Sequence, residues 1–511
     1  MESNTTRPKS TNLWSILALV ALLKAIWIGL FVSGDPIGLG PDEAQYWMWS
    51  RLLDWGYYSK PPGIAWSIAV GRALFGDTLF GVRFVALCAG AALPFASAYL
   101  AIASGFNRSV ALLAGILIAL SPPGILASLF ATTDGPMALF LTLALACFCQ
   151  SITHKKPSNY LWIGILIGCA ALFKWPAYLL WIPILLTALF RPHMRSSTLI
   201  PGVLLSACAL LPSLYWNFHH DWATWRHVGT AMTSHGEQSQ ALFGGNPLDF
   251  IGAQFLLLTP LPVYGLYLCW RRRRKLPEGA KIVALFAGSL LLLFICASLF
   301  KKMQGNWGSF LFPSLFVLAA WSLTPLRTLR RLSIWSTAIL SALAFSLPAL
   351  MVDPGPLPAK WNPFKQTMGW KKIAPLLSDA GFSPDQHFLF SDRYQTSTEL
   401  AFYAPGQPQT YLLNTGGGRR TQFDYWPQME EEQIGRTGYF AWVETRARDL
   451  TPEAQAKRRE ELIRQLTPYF KEIRWRGFFP LLEQNSTPIK GMILLECQGY
   501  NGHSPEPSGR W

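Results

Sequence analysis

The sequence predicts a mainly α-helical membrane protein: a polytopic bundle of about eleven transmembrane helices with juxtamembrane helices, followed by a small extracytoplasmic α+β domain. Of its 511 residues, 51% are hydrophobic, only 14% are charged and 22 are tryptophan. This balance is typical of a chain whose solvent is largely lipid. Near residue 352 the apolar runs shorten and Pro, Gly and charged residues become more frequent, which predicts two domains, residues 1–351 and 352–511.

The predicted spans follow from the length of the apolar segments. A helix needs about 20 apolar residues to cross a bilayer, because its backbone groups must be satisfied within the segment. The first segment, residues 13–33, is too long for a signal-peptide core and is predicted to remain as a signal anchor. By the same test the eleven spans lie near residues 13–33, 79–103, 109–130, 135–152, 159–173, 175–190, 198–216, 248–270, 282–300, 307–325 and 333–351.

Basic residues predict the orientation of these spans, since Lys and Arg are enriched in cytoplasmic connections. Alternate connections are basic, and they carry Arg7 and Lys9; Arg108; Lys155 and Lys156; Arg191 and Arg195; Arg271 to Lys275 with Lys281; and Arg327, Arg330 and Arg331. The amino terminus is therefore expected in the cytoplasm and the tail beyond residue 352 outside, in the bacterial inner membrane. The formal charge of +15 is scattered between apolar runs without a recognition motif, so no nucleic-acid partner is predicted.

The tail has the pattern of an α+β domain. Residues 386–403 and 436–444 are predicted as strands, and the segment Pro452 to Leu466 as a charged helix.

Ionisable residues collect at the outer ends of the predicted spans. They are Asp42, Glu43 and Lys60 in the first outer loop, Asp134 in the second, Lys174 in the third, and Lys301, Lys302 and Asn306 in the fifth. Such groups are costly at a span end unless they are paired or hydrated, so one polar cavity on the outer face is expected. The alternative for each lysine is separate contact with lipid headgroups.

The first outer loop, GPDEAQYWMWSRLLDWGYYSKPPG, is the most informative segment. Asp42 to Trp55 has helical spacing, with Tyr46, Trp49 and Leu53 on one face, which favours a helix lying in the membrane interface. Asp42 and Glu43 would occupy its first turn, where the helix dipole favours carboxylates. The simplest alternative is that the two acids only cap this helix.

An Asp-Glu pair that opens a juxtamembrane helix, followed by Tyr-Trp and Lys-Pro-Pro, resembles the first outer loop of the GT-C membrane glycosyltransferases. The resemblance is to the protein O-mannosyltransferase-like group, which includes the bacterial aminoarabinose transferases of lipid A. The segments SPPGILASLFATTDGPMALF, FKWPAY and KKMQGNWGSFLFPS are similar in kind and order to that group. The likeness covers about residues 13 to 325, and the tail matches loosely, chiefly in SDRYQTSTELAFY.

The resemblance implies transfer of a sugar from a polyprenyl-phosphate carrier to a lipid, glycan or protein acceptor on the outer face, with inversion at the anomeric carbon. It implies that Asp42 is the catalytic base with Glu43 in support, and that Lys60 binds the donor phosphate. Asp134, Lys174 and Lys302 are implied to bind the donor phosphate or sugar. These residue types suit the chemistry, since a carrier phosphate is a good leaving group and the protein needs only a base and positive charge.

The sequence also bears on acceptor binding and on metals. Arg393 and Tyr394 are candidates for acceptor binding, the alternative being a surface Arg and a packed Tyr. Carboxylate oxygens at Asp42, Glu43 and Asp134 suit magnesium or manganese, but dense ligand spacing is missing, so no cofactor is predicted. His219 and His220 are expected in a solvated loop.

Two other classes of function compete. A secondary transporter or lipid flippase usually has ionisable residues near the bilayer midplane and two related halves. Here the acids lie at one face and no repeat is visible. A structural assembly factor that docks through its tail would leave the acids and lysine of the first loop without a purpose.

Overall fold

The computed structural model describes residues 12–34, 37–233, 244–350, 358, 362–506 and 508–511. The chain is mostly helical, with one small sheet, as predicted. It divides into two compact units, each built from separate stretches of sequence. Unit 1 comprises Met1–Leu30, Arg83–Leu211 and His235–Ala342, and unit 2 comprises Phe31–Val82, Pro212–Ser234 and Leu343–Trp511.

Seventeen helices precede the tail in the part of the chain that the structure describes. They are α1 (Leu13–Gly34), α2 (Pro41–Arg51), α3 (Gly63–Phe75), α4 (Leu79–Ala103), α5 (Arg108–Leu120), α6 (Pro122–Leu129), α7 (Asp134–His154), α8 (Tyr160–Ala171), α9 (Trp181–Phe190), α10 (Leu199–Ala207), α11 (Leu211–His219), α12 (Ala223–Thr233), α13 (Pro247–Leu258), α14 (Pro260–Arg271), α15 (Glu278–Phe300), α16 (Phe312–Leu323) and α17 (Arg327–Leu350). Short 3-10 helices, Trp175–Leu180 and Gly305–Leu311, precede α9 and α16.

Each of the eleven predicted spans falls on helical structure, but their lengths differ. Within the described residues, six helices are long and apolar enough to cross a membrane, and two helix pairs do so only if each bent pair is one span. The α5–α6 pair is bent by 59° and the α13–α14 pair by 100°. The helices around residues 160–190 are shorter. Several apolar spans are thus present, and the count of eleven stays a prediction.

Unit 1 contains close helix packing and one buried cation. A side chain at Gly164 would place its Cβ 2.1 Å from the carbonyl oxygen of Gly202, so α8 and α10 approach backbone to backbone. On α1, the buried Nζ of Lys24 donates at 3.0 Å to the carbonyl oxygens of Gly90 and Gly124. These bonds supply the polar partners that a buried ammonium requires.

The tail contributes a mixed sheet to unit 2. Its elements are α18 (Ile373–Asp379), β1 (His387–Ser391), α19 (Tyr394–Tyr403), β2 (Thr410–Leu412), α20 (Met429–Glu432), β3 (Thr437–Glu444), α21 (Pro452–Leu466), β4 (Phe470–Gln484) and β5 (Thr487–Tyr500). The strand order is β2-β1-β3-β5-β4. β1 pairs in parallel with β2 and β3, whereas β5 pairs antiparallel with β3 and β4. Aromatic residues such as Phe390, Phe440 and Phe470 form a core on one face of the sheet.

The sequence predictions for the tail are only partly correct. The helix at Pro452–Leu466 and the strand at 436–444 are present. The predicted strand at 386–403 is wrong beyond Ser391, because Tyr394–Tyr403 is helical. Consecutive residues from Thr396 to Phe402 are buried, which a half-exposed strand would not produce.

The helix of the first outer loop is present but differs from the expected interfacial helix. α2 ends at Arg51, so Leu53 lies beyond it. All residues from Glu43 to Ser50 are buried rather than one aromatic face alone. α2 packs against α3 and α19 of its own unit, and this packing buries its aromatic side chains.

Candidate functional site

The Asp42-Glu43 pair opens α2, and its two carboxylates have different surroundings. Gly40 is the N-cap and Pro41 the first helical residue, with fixed backbone geometry suited to that position. The Glu43 Oε2 accepts a hydrogen bond from the Gly40 N–H at 3.0 Å, and Glu43 is 1% exposed. Asp42 is exposed. The capping explanation therefore applies to Glu43, and Asp42 is the carboxylate accessible to a substrate.

The body of α2 is held by one carboxylate from the loop after α3. The indole N–H of Trp47 donates to Asp77 Oδ1 at 2.6 Å, and the Arg72 guanidinium forms an ion pair with the same carboxylate. Burial opposes ionisation of Asp77, but the hydrogen bonds from Arg72 and Trp47 outweigh it and lower its pKa. The helix that carries Asp42 is thus fixed by charge-assisted hydrogen bonds.

Lys60 lies in a turn that is fixed from several sides. The ring of Tyr57 stacks on Trp49 of α2 at 4.5 Å, and its backbone N–H donates to the carbonyl of Lys60 at 3.2 Å. The next residue, Tyr58, donates its backbone N–H to Gln422 Oε1 at 2.7 Å. The Lys60 side chain is half-buried at the end of this turn.

Arg419 lies beside three polar residues from different parts of unit 2. Its guanidinium carbon lies 5.8 Å from the ring centres of both Tyr58 and Tyr394. Its Nη1 lies 3.2 Å from Nδ1 of His227, on α12. The preceding Gly418 is bound to the Asn414 side chain through both its N–H and its carbonyl at 2.8 Å, which orders the loop.

His227 is neutral in this arrangement. Burial lowers its pKa to about 4, and the positive charges of Arg419 and Lys60 add to the effect. A guanidinium can only donate, so the imidazole nitrogen that faces Arg419 must accept. The neutral imidazole therefore adds no charge of its own beside the two cations.

Electrostatic contacts join the two ends of this group of residues. Burial raises the pKa of Tyr394, the Asp42 carboxylate raises it further, and Arg419 opposes both. Asp42 thus lies near Tyr394, just as Lys60 lies near His227. We call this set the Arg419 cluster. Its members are Asp42, Tyr58, Lys60, His227, Tyr394 and Arg419.

The two predicted acceptor-binding residues, Arg393 and Tyr394, contact different neighbours. Tyr394, the first residue of α19, belongs to the Arg419 cluster. The Arg393 guanidinium instead lies 5.9 Å from the ring of Trp442, against the sheet.

The candidates of unit 1 form a second polar group. Lys174 Nζ lies 2.8 Å from Asp134 Oδ1, and the side chains of this ion pair are 19% and 15% exposed. The Asn306 amide donates to the other oxygen of Asp134 at 3.2 Å. Asp134 and Asn306 line a largely apolar cavity of about 200 Å³, and Lys302 is exposed after α15. Lys174 thus has its charge balanced by Asp134 within the unit.

Metal ligands are not concentrated in the described part of the chain. No group of three or more His, Cys, Asp or Glu side chains there is placed to hold a metal ion. His220 stacks on Trp216 at 4.2 Å and binds its carbonyl through Nδ1 at 2.7 Å, so it packs with neighbouring aromatic residues.

Sequence reasoning missed three members of the Arg419 cluster: Tyr58, His227 and Arg419. Tyr58 lies two residues before the Lys of the Lys-Pro-Pro motif, which was a usable signal. The sequence around His227 contains no recognised motif. Arg419 follows three consecutive glycines, and its sequence carries no signal for a partner nearly 200 residues away.

Comparison with known proteins agrees with this architecture. Residues 59–216 match the family model for dolichyl-phosphate-mannose-protein mannosyltransferases. The crystal structure of ArnT from Cupriavidus metallidurans superposes with a TM-score of 0.62 at 17% identity, covering 94% of this chain and 97% of that one. This chain has the GT-C fold. The resemblance predicted from the sequence is confirmed.

Curated relatives are similar over part of their length. A lipid A galacturonosyltransferase of Rhizobium johnstonii is 29% identical over 315 residues, 60% of this chain and 65% of the relative. An undecaprenyl phosphate-α-4-amino-4-deoxy-L-arabinose arabinosyl transferase of Pseudomonas fluorescens is 26% identical over 310 residues, 55% of this chain and 54% of the relative. The matched region is therefore less than two thirds of either relative.

The neutral state of His227 predicts how stability depends on pH. An unfolded chain protonates a histidine near pH 6.5, whereas folded His227 remains neutral down to about pH 4. The unfolded state then binds more protons between these values, so the free energy of unfolding decreases as pH falls from 6.5 towards 4. Replacing His227 by Gln should reduce this loss, by roughly 2–4 °C in Tm for each kcal/mol removed.

Thermal unfolding of the detergent-solubilised variants at both ends of this pH range measures the effect. His503→Gln, at an exposed histidine of the same unit, is the matched control and should lose stability as the wild type does. An identical pH dependence for the wild type and His227→Gln would contradict the assignment.

Proposed function

We propose that this chain is an integral-membrane glycosyltransferase that moves a sugar from a polyprenyl-phosphate carrier to an envelope acceptor. The observation that carries the proposal is the Arg419 cluster, which joins an exposed carboxylate to two cations within unit 2. A phosphate leaving group is stabilised by nearby positive charge, and an acceptor hydroxyl needs a base to remove its proton. The cluster supplies both, in a chain with several apolar spans.

In this reaction Asp42 takes the proton from the acceptor hydroxyl as that oxygen attacks the anomeric carbon. The bond from that carbon to the carrier phosphate breaks, and the electron pair leaves with the phosphate. Lys60 stabilises the developing negative charge on the phosphate through charge-assisted hydrogen bonds. Attack opposite the leaving group inverts the anomeric centre. Glu43 acts by capping α2.

The donor class and acceptor are inferred from the compared proteins. The Pseudomonas relative is named for an undecaprenyl-phosphate-linked sugar, which supports a polyprenyl-phosphate donor. The Rhizobium relative is named for lipid A, which makes lipid A the first acceptor to test before other glycans or proteins. Asp134, Lys174 and Lys302 stay predicted donor-binding residues, and Arg393 and Tyr394 predicted acceptor-binding residues.

A secondary transporter or flippase is less consistent with the site. Transporters bind their cargo between broken helices near the membrane midplane. The Arg419 cluster instead combines the first loop with residues of the tail, including Tyr394 and Arg419. The compared proteins are named as transferases.

Asp42→Asn tests the proposed base. The amide cannot accept the proton, so transfer in proteoliposomes should fall by about 10²–10⁴ while membrane insertion and abundance stay near normal. The matched control is Asp385→Asn, at an exposed aspartate of the same unit, which should retain full transfer. Glu43→Gln keeps an oxygen for the Gly40 N–H and should lose little activity. Full transfer by Asp42→Asn would exclude it as the base.

The proposed orientation places residues 1–351 in and around the inner membrane, with the amino terminus in the cytoplasm and residues 352–511 in the periplasm. It follows from the alternation of basic connections along the sequence. A reporter enzyme that is active only in the periplasm, fused after residue 352, should be active. A cytoplasmic reporter signal at the same position would overturn the orientation.

The charge of the cluster also predicts which sugars are accepted. The two relatives are named for sugars of opposite charge, a uronic acid and an amino sugar. The sugar of a bound donor lies between its phosphate and the acceptor, hence between Lys60 and Asp42. Arg419 contacts neighbours of both, Tyr394 and His227, and its planar fork suits a carboxylate. We therefore infer that an anionic sugar is preferred to a cationic one.

Arg419→Gln separates sugar recognition from phosphate recognition. It should lower kcat/KM for a uronate donor by about 10–100-fold, as expected for loss of a charged hydrogen bond, and change a neutral-sugar donor far less. Lys60→Gln should weaken the use of every donor. Arg446→Gln, an exposed arginine of the same unit, is the control. An equal loss with both donors in Arg419→Gln would assign Arg419 to the phosphate alone.

A further inference from the structure

Lys490 on β5 is a buried cation whose polar partners are backbone carbonyls. It is 2% exposed, and its Nζ donates to the carbonyl oxygens of Gln366 at 2.8 Å and Met368 at 2.7 Å. The ammonium also lies 4.6 Å from the centre of the Trp370 ring. Both carbonyls lie outside strands and helices, so Lys490 supplies donors that regular structure does not.

Burial of the Lys490 ammonium is unfavourable, so packing alone does not explain why a lysine occupies this position. Burial lowers the pKa of Lys490 to about 7, with the buried carboxylate of Glu399 opposing the shift. An ion that is moved from water into a protein interior loses its hydration, and this loss opposes burial. A methionine would fill similar space without that loss. The contributions specific to lysine are therefore its bonds to the turn at residues 366–368 and its charge near Glu399.

The same turn binds the chain just before α2. Thr367, which lies between the two residues bound by Lys490, accepts a hydrogen bond from the Gly38 N–H at 2.9 Å. A Cβ at Gly38 would lie 2.6 Å from the Thr367 carbonyl oxygen, so only glycine permits this approach. The Leu39 N–H donates to the hydroxyl of Tyr403 at 2.7 Å. α2 begins at Pro41, directly after this attachment.

We propose that Lys490 is a positioning residue for Asp42. By binding the carbonyls on both sides of Thr367, it holds the acceptor for Gly38 and so determines where α2 begins. This inference rests on the proposed function, in which Asp42 is the base. A misplacement of about 1 Å at a reacting group can lower a rate about 10²-fold, so a small shift of the helix start is sufficient.

The test compares Lys490→Met and Lys490→Arg in the full-length chain in lipid vesicles. Lys490→Met should lower kcat by about 10–100-fold and change KM for the lipid donor less than about 2-fold, because the hydrogen bond at Gly38 does not hold Lys60 or Arg419. Lys490→Arg retains a donor and should recover part of kcat. The matched control is Lys372→Met, at an exposed lysine whose Nζ lies 3.4 Å from the Pro480 carbonyl, and it should match the wild type.

Tyr403→Phe provides a second variant at the other end of the same attachment. It removes the acceptor for Leu39 and should give the same pattern, a lower kcat with unchanged KM. Wild-type kcat in folded Lys490→Met and Tyr403→Phe would overturn the proposal. So would fewer active molecules with a normal rate per active molecule, which indicates loss of folding only. If Lys490→Met does not fold, the kcat of Tyr403→Phe decides.

Hydrogen exchange separates this proposal from the proposed function. Without any substrate, Lys490→Met should speed exchange at the amides of Gly38 and Leu39, whereas Lys372→Met should not. If Lys490→Met exchanges faster but the wild type transfers no sugar, the link between Lys490 and the start of α2 is retained and the proposed function is rejected. If the wild type transfers sugar and Lys490→Met shows the same exchange as the wild type, the positioning role alone is rejected.

Discussion

The attachment of the first outer loop to the tail is the constraint on which unit 2 depends. Its contacts join residues more than 300 positions apart: Gly38 binds Thr367, Arg51 binds the carbonyl of Gln407, and Tyr58 binds Gln422. Most of them are hydrogen bonds to backbone groups, so they fix the path of the loop whatever its exposed side chains do. The proposed reaction requires this order, because effective catalysis depends on reacting groups in near-attack positions.

Some cations near the predicted site residues are paired with carboxylates, and others lie beside neutral groups. Asp77 binds Arg72 and so neutralises a cation beside α2, away from the Arg419 cluster. In the cluster itself His227 stays neutral, and it therefore adds an acceptor for Arg419 without adding a third charge. In unit 1, by contrast, Lys174 is paired with Asp134, which lowers its attraction for a phosphate.

Sequence periodicity predicts local structure well where one physical cause dominates. Apolar length predicted helices in all eleven segments, and charge with helical spacing predicted Pro452–Leu466. It failed where tertiary packing decides. The helix at Tyr394–Tyr403 is packed on several sides, by α2, β1 and β2, and α2 is buried because α3 and α19 cover it. Neither cause is visible in a local window of sequence.

The site shows the same division between local and distant causes. Asp42, Glu43 and Lys60 were identifiable as candidates because the first loop contains them within twenty residues and resembles a known family. Arg419 and His227 were not, since their meeting depends on the glycine turn before Arg419 and on the path of α12. The sequence alone did not show which acid of the Asp42-Glu43 pair caps the helix. The hydrogen bond from Gly40 to Glu43 shows that it is Glu43. Glu43 thus fixes the start of α2, while the adjacent Asp42 stays exposed on the same turn.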